Sequence, residues 1–175
     1  MSRHEASPQL IFLLETVYRE GAHLHYTTGR LLREPVDVSW VESLEDDPER
    51  AERLDAFLAR YGRMQDTIGD RLIPSLMRDI LETPGSALDN LNRMEKLGVL
   101  AAVSDWVEAK NLRNRLFHEY MRDAEEFASA VNRARECVSL LISIYNNILD
   151  YTAGQLEPPD GYSWPDKLEM DTCSE

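Results

Sequence analysis

A short polar stretch in the second half of the chain, RNRLFHEY, contains the residue types best suited to chemistry. It contains Arg113, Asn114, His118 and Tyr120. An arginine can clamp a phosphate through its fork of N–H donors, and a neutral histidine can accept or release a proton. With a phenol nearby, this set suits phosphodiester cleavage without a metal ion. The alternative is that the stretch is only the polar end of a packed helix.

The four groups do not all converge on a regular helix. Asn114 and His118 lie four residues apart on one face, so the amide can fix the orientation and tautomer of the imidazole. Arg113 and Tyr120 also share a face, but Arg113 and His118 are separated by roughly 140 degrees about the axis. Either the helix distorts before His118, or a second copy completes the site across a two-fold axis. The second solution predicts a homodimer that buries residues 106–120.

The distribution of charge indicates where an anion would bind. The chain has 175 residues and a formal net charge of -13, which disfavours nucleic acid on average because that binding depends on basic groups. Residues 93–122 differ, with six Lys or Arg against four Asp or Glu. An anionic substrate is therefore expected at this basic segment.

Other catalytic classes have little support in the sequence. Glu20 and His23 have the Glu-x-x-His spacing of di-iron helix bundles, but such a site needs a second pair and two further glutamates. The sequence contains no second pair. It also lacks the Gly-rich motifs of phosphate-loop and dinucleotide-binding proteins and the G-x-S-x-G motif of serine hydrolases. The pattern therefore predicts neither a metal site nor a cofactor.

Composition predicts one soluble domain in the cytoplasm. With 43% hydrophobic residues, a chain of this length can bury a substantial core. We expect no signal peptide and no membrane span, since no apolar stretch approaches the roughly 18 to 20 residues required. The two cysteines, Cys137 and Cys173, suggest neither a disulfide nor a metal site and fit a reducing compartment.

Apolar residues recur at helical spacing along nearly the whole chain, which predicts an all-α protein without a sheet. The first helix is predicted from Pro8 to Leu31. A loop of about 15 residues should follow, since its prolines and acidic cluster break the periodicity. The second helix is predicted from Pro48 to Ile80, with a kink at Pro74.

Capping signals define the remaining helices. Thr83 is predicted to be the N-cap of a short helix that Gly98 ends. Acidic capping pairs, Asp105 with Glu108 and Asp123 with Glu126, should open the last two helices. The result is an antiparallel four- to five-helix bundle over residues 1–154, followed by a disordered, acidic and flexible tail over residues 155–175.

The pattern R-N-x-x-x-H-x-Y, formed by Arg113, Asn114, His118 and Tyr120, resembles the signature of the HEPN superfamily, specifically its HepT-like toxins. The stretches YGRMQDTIGDRLIPSLM and ALDNLNRMEKLGVL are similar to the second and third helices of a HepT-like subgroup. Seven charged or glycine positions there fit the subgroup's pattern: Gly62, Arg63, Asp66, Asp70, Arg71, Glu95 and Lys96. The charged ones are expected to form salt bridges between helices.

The resemblance implies a HEPN-like bundle, a homodimer with facing motifs, and a metal-independent endoribonuclease that cleaves RNA through its 2'-hydroxyl. It implies that Arg113 holds phosphate, His118 moves protons and Asn114 orients His118. It also implies a cognate partner, a minimal nucleotidyltransferase antitoxin, that silences the toxin by attaching AMP to Tyr120. The alternative is a non-catalytic HEPN binding module that docks a nucleotidyltransferase or a nucleotide.

Overall fold

A computed structural model describes residues 3–118 and 123–170, with His118 described in its backbone only. It is 74% helical, which confirms the predicted all-α helical bundle. The helices are α1 (Pro8–Leu31), α2 (Val38–Glu42), α3 (Pro48–Asp66), α4 (Ile73–Asp79), α5 (Ala87–Lys96), α6 (Val103–His118) and α7 (Ala124–Gln155). A 3-10 turn (Ser43–Glu45) follows α2, and a π-helical segment (Thr67–Leu72) joins α3 to α4. None of the helices in the described ranges is long and apolar enough to cross a membrane.

Local capping explains where the two longest helices begin. Ser7 Oγ accepts the backbone N–H of Leu10 at 3.2 Å, and Pro8 follows in the first turn, where its missing N–H costs nothing. Asp123 accepts the backbone N–H groups of Glu125 and Glu126 at 2.9 and 3.1 Å at the start of α7. The predicted bounds of α1 and the predicted cap at Asp123 are confirmed.

The apolar faces of α1, α3, α6 and α7 meet in one core. Its largest fully buried side chains include Tyr61, Tyr145 and Phe57. Their burial removes large apolar surfaces from water, which is the main favourable contribution to folding. The core therefore holds α3 and α6 side by side, and these are the two helices that form the site described below.

The π-helical segment accommodates Pro74. Ile73 donates its N–H to the carbonyl of Ile68, five residues back. In a regular helix Pro74 would lack a donor and its ring would meet the carbonyl of Asp70. The widened turn just before it relieves that clash, so the disturbance predicted at Pro74 takes the form of a π-helical segment at Thr67–Leu72.

Three local predictions are wrong. The predicted loop after α1 contains α2 and the 3-10 turn, whose Leu44 is buried in the core. The N-cap of α5 is Ser86, not Thr83, because Ser86 and Asp89 form a reciprocal capping box. Helix α6 begins two residues before Asp105, with the N–H of Val103 bonded to Glu95 Oε2 at 2.6 Å.

The predicted flexible tail needs correction for residues 156–170. Strands β1 (His4–Glu5) and β2 (Leu156–Glu157) pair in parallel, so the prediction of no sheet is wrong in this detail. Further on, Asn146 accepts the N–H of Leu168 at 2.9 Å and donates to its carbonyl at 3.0 Å. The Leu168 side chain is buried against Gly21. The strand pair, the buried Leu168 side chain and Asn146 therefore hold a segment whose composition is typical of a disordered chain.

Candidate functional site

Helix α6, which carries most of the RNRLFHEY motif, is fixed against its neighbours by polar contacts. The Tyr61 hydroxyl donates to the carbonyl of Ala109 at 3.0 Å inside the core. Burial raises the pKa of Tyr61, so the phenol stays protonated and remains a donor. Glu108 pairs with Arg133 of α7 at 2.8 Å instead of capping α6. These contacts attach α6 to α3 and to α7, and so fix the position of Arg113 on the surface of the bundle.

The Arg113 side chain packs against Gly62 and Asp66 of α3, in a position called here the seat of Arg113. Its Nη1 donates to Asp66 Oδ1 at 2.8 Å, and its Cζ lies 5.7 Å from the centre of the Phe117 ring. The guanidinium crosses the backbone of Gly62, where an added Cβ would lie 2.5 Å from Nε. Only glycine leaves this space. The side chain is 24% exposed, so the guanidinium is held firmly yet still reaches solvent.

Arg113 lines a cleft of about 380 Å³. The cleft, called here the arginine cleft, is lined by Ala59, Arg63, Asp66, Thr67, Asp70, Arg71, Arg113 and Phe117. Its three arginines outnumber its two aspartates, although the whole chain has a net charge of -13. The cleft is therefore a local exception to the overall charge, and an anion that reaches it meets several cations.

Glu20 extends this charged region onto α1. Thr67 Oγ1 donates to Glu20 Oε1 at 3.0 Å. Burial raises the pKa of Glu20, while the hydrogen bond from Thr67 and the charges of Arg63 and Arg71 oppose the rise. Glu20 is thus tied to the π-helical segment rather than to His23. Among the residues that the structure describes, no group of three His, Cys, Asp or Glu is placed to hold a metal ion.

Of the four residues predicted to form the site, the structure describes Arg113 and Asn114 in full and His118 in its backbone only. Arg113 lies in the arginine cleft, and Asn114 is exposed on α6. His118 is the last residue of α6, and Tyr120 lies outside the described residues. The α-helix continues to His118, so the predicted alternative of a distortion before it is wrong. The separation of roughly 140 degrees between Arg113 and His118 persists within one chain.

The sequence prediction missed the partners of Arg113. It expected salt bridges from the charged positions, and Asp66 does form one, while Arg63, Asp70 and Arg71 line the arginine cleft instead. The signal for the seat was Gly62 itself, because glycine within a helix is unfavourable by about 1 kcal/mol and often marks a close approach.

In comparisons with protein-family models, curated proteins and solved structures, no match to this chain was found. The resemblance of the RNRLFHEY motif to the HEPN signature therefore stays a prediction. The geometry of the arginine cleft is the independent information about function.

Proposed function

We propose that the chain is a HepT-like toxin of the HEPN superfamily, a metal-independent endoribonuclease of the cytoplasm. The observation that supports this most directly is the seat of Arg113. Its guanidinium is held between Gly62 and Asp66 at the edge of a cleft with two more arginines. A guanidinium in a fixed position binds phosphate through paired N–H donors with little loss of side-chain entropy. The cleft therefore suits the backbone of a single RNA strand.

Asp66 holds Arg113 in position and accepts a hydrogen bond from only one of its nitrogens, Nη1. The guanidinium carries five N–H donors and gives one of them to Asp66 Oδ1. Nε is buried without a partner among the described residues, so a substrate phosphate approaches the Nη donors that Asp66 does not occupy. Arg63 and Arg71 then hold neighbouring phosphates, because the backbone of RNA carries one charge per nucleotide.

The proposed reaction is an attack by the 2'-hydroxyl on the adjacent phosphorus. His118 removes the 2'-hydroxyl proton, the new O–P bond forms, and Arg113 stabilises the charge that develops on the phosphorane. The bond to the 5'-oxygen then breaks and that oxygen takes up a proton, leaving a 2',3'-cyclic phosphate. Asn114 orients the imidazole of His118.

A homodimer completes the proposed site. Because α6 is continuous to His118, positions 113 and 118 are separated by roughly 140 degrees about the helix axis within one chain. Two copies related by a two-fold axis perpendicular to α6 would place the two α6 helices antiparallel, with position 113 of one near position 118 of the other. The exposed apolar side chains of Val107 and Phe117 on α6 suit such an interface.

The proposed control is covalent. A minimal nucleotidyltransferase antitoxin transfers AMP from ATP to Tyr120, so that the phenol oxygen attacks the α-phosphorus, pyrophosphate leaves and the phenol proton is released. The attached phosphodiester then competes with RNA for Arg113. Incubation with the partner, ATP and magnesium should add the mass of one adenylyl group, which is AMP less one water, to the wild type and none to Tyr120→Phe. Equal addition to both would exclude Tyr120 as the sole acceptor.

One observation favours a second candidate function. The Asp66 carboxylate already neutralises part of the charge of Arg113. A cleft balanced in this way also suits recognition without catalysis, as in a HEPN binding module that docks a nucleotidyltransferase or a nucleotide. Catalysis distinguishes the two candidates.

The test is cleavage of single-stranded RNA by the purified chain in the presence of EDTA. Wild type should cleave, His118→Ala should lose activity by about 100-fold or more, and Arg113→Lys should also be impaired because an ammonium cannot form the paired contact. Arg30→Lys is the matched control, since Arg30 is an exposed arginine of α1 outside the cleft. Cleavage that stops with EDTA would contradict the mechanism. A dimer that binds nucleotide without cleaving would support the binding module.

A further inference from the structure

A second cavity lies beside the arginine cleft, between α3, α5 and α6. It has a volume of about 190 Å³. Leu91, Trp106 and Val107 form its apolar walls, and Gln65 and Lys110 are polar groups in its lining. Asp66 and Asp70 line both this cavity and the arginine cleft, so the two spaces adjoin. It is called here the Gln65 cavity.

Gln65 is the unexplained group in this cavity. The residue is 2% exposed, and neither Nε2 nor Oε1 has a hydrogen-bond partner among the described residues. Leaving a buried polar atom without a partner costs about 1 to 3 kcal/mol, so a native protein rarely leaves a whole amide this way. Gln65 lines the cavity, so its amide, with N–H donors and an acceptor, is the unpartnered polar group beside whatever enters it.

The backbone beside Gln65 is shaped to make room for an aromatic wall. The π-helical segment includes Gly69, and an added Cβ there would lie 2.9 Å from Cζ2 of Trp106. The six-membered ring of the indole therefore packs against the backbone of Gly69, and Trp106 contributes apolar surface to the cavity. Segments of π-helix occur often at functional sites.

We propose that the Gln65 cavity binds a nucleobase, adenine above the others, through paired hydrogen bonds to the Gln65 amide. Glutamine reads adenine in this way because the amide matches the adjacent donor and acceptor of the base. The volume is below the roughly 300 Å³ of cavities for drug-sized ligands, which suits one planar ring system rather than a whole nucleotide. Lys110, exposed at the cavity, is available for the phosphate attached to that nucleoside.

The part of the inference that concerns RNA rests on the proposed function. In an RNA substrate, the Gln65 cavity holds the base next to the phosphate that Arg113 binds, because Asp66 and Asp70 border both spaces. Gln65 then determines base preference at one position beside the cleavage site. A free nucleoside would satisfy the same amide, and the two sources of the base are separated by experiment.

The first arm measures calorimetric binding of adenosine to the purified full chain. Wild type should bind, and Gln65→Met should weaken binding about tenfold or more, since each paired contact to a base discriminates by about that factor. Gln9→Met, on the exposed face of α1, is the matched control and should bind as wild type does. Thermal unfolding of Gln65→Met should be at or above the wild-type temperature, because an unpartnered buried amide has been removed.

A second variant guards against loss of folding in Gln65→Met. Leu88 is 55% exposed at the rim of the cavity, so Leu88→Trp changes the entrance and leaves the core intact. It should also weaken adenosine binding. Wild type that fails to bind adenosine, or binding that is equal in wild type and in a folded Gln65→Met, would overturn the proposal. The latter result would mean that the amide is satisfied by water alone.

The second arm uses short 2'-O-methyl oligonucleotides, which lack the attacking hydroxyl. Oligoadenylate should bind wild type about tenfold more tightly than oligouridylate, and the ratio should fall towards one in Gln65→Met. If RNA is never cleaved while adenosine binding depends on Gln65, the proposed function fails and the base site stands. If RNA is cleaved while adenosine binding and base preference do not depend on Gln65, the base site is overturned and the proposed function stands.

Discussion

Replacing Gly62 with alanine tests the seat of Arg113 without substituting a predicted catalytic residue. The new Cβ would lie 2.5 Å from Nε and 3.0 Å from both Cζ and Nη2 of Arg113. The backbone of α3 cannot move away, so the flexible side chain of Arg113 must move instead. We expect Gly62→Ala to separate stability from activity.

The effect on stability should be small because two contributions oppose each other. Alanine within a helix is better than glycine by about 1 kcal/mol. Displacing Arg113 loses a partly exposed ion pair with Asp66, about 0.2 to 1 kcal/mol, and a contact with the Phe117 ring, about 0.5 to 1 kcal/mol. The free energy of unfolding should therefore stay within about 1 kcal/mol of wild type.

The effect on RNA cleavage should be large. Removing one positioned donor from a developing negative charge commonly lowers a rate by about 100-fold to 1000-fold. Gly62→Ala should fall in that range and resemble Arg113→Ala. The assay is the cleavage rate of single-stranded RNA, paired with urea unfolding of the same preparations.

Gly29→Ala is the matched control. Gly29 lies in α1, and nothing lies within 4 Å of an added Cβ there. This variant should gain up to about 1 kcal/mol of stability and keep full activity. Full activity in a folded Gly62→Ala would refute the argument that the seat of Arg113 positions it for catalysis.

Two further predictions concern the remainder of the bundle. Burial raises the pKa of Glu20, so its contribution to stability is lost as pH rises through that raised value. Glu20→Gln should therefore increase the free energy of unfolding at neutral pH and have little effect below pH 4.5. The partly exposed Glu15 provides the control, because Glu15→Gln should not reproduce this pH-dependent gain. Asn146→Ala should cost about 1 to 3 kcal/mol and speed hydrogen exchange at the Leu168 amide, since both hydrogen bonds between them are lost; unchanged exchange would contradict the anchoring.

Elements with strong local signals could be predicted from the sequence. Ser7 followed by Pro8 defines the start of α1, and Asp123 defines the start of α7, because both caps act on N–H groups two or three residues away. The choice between Thr83 and Ser86 depended on which residue finds a reciprocal partner, and Asp89 provides it only to Ser86. The attachment of residues 156–170 depends on Asn146 and Gly21, which are distant in sequence and carry no local signal.

The candidate site shows the same difference between local sequence signals, which could be predicted, and contacts between distant residues, which could not. The order Arg113, Asn114, His118 is visible in the sequence, but the pairing of Arg113 with Asp66 spans 47 residues. The Gln65 cavity was not predicted at all, because a glutamine within an apolar stripe gives no indication that its amide lacks a partner. Such a feature arises only from packing of α3, α5 and α6.

The most direct test of the proposed ribonuclease uses a DNA oligonucleotide that contains a single internal ribonucleotide. Attack by the 2'-hydroxyl is possible only at that position, since the other sugars lack the nucleophile. With EDTA present, the wild-type chain should cut only on the 3' side of the ribonucleotide and leave a 2',3'-cyclic phosphate. Cuts at deoxynucleotides, or fragments that end in a 3'-hydroxyl, would contradict the mechanism.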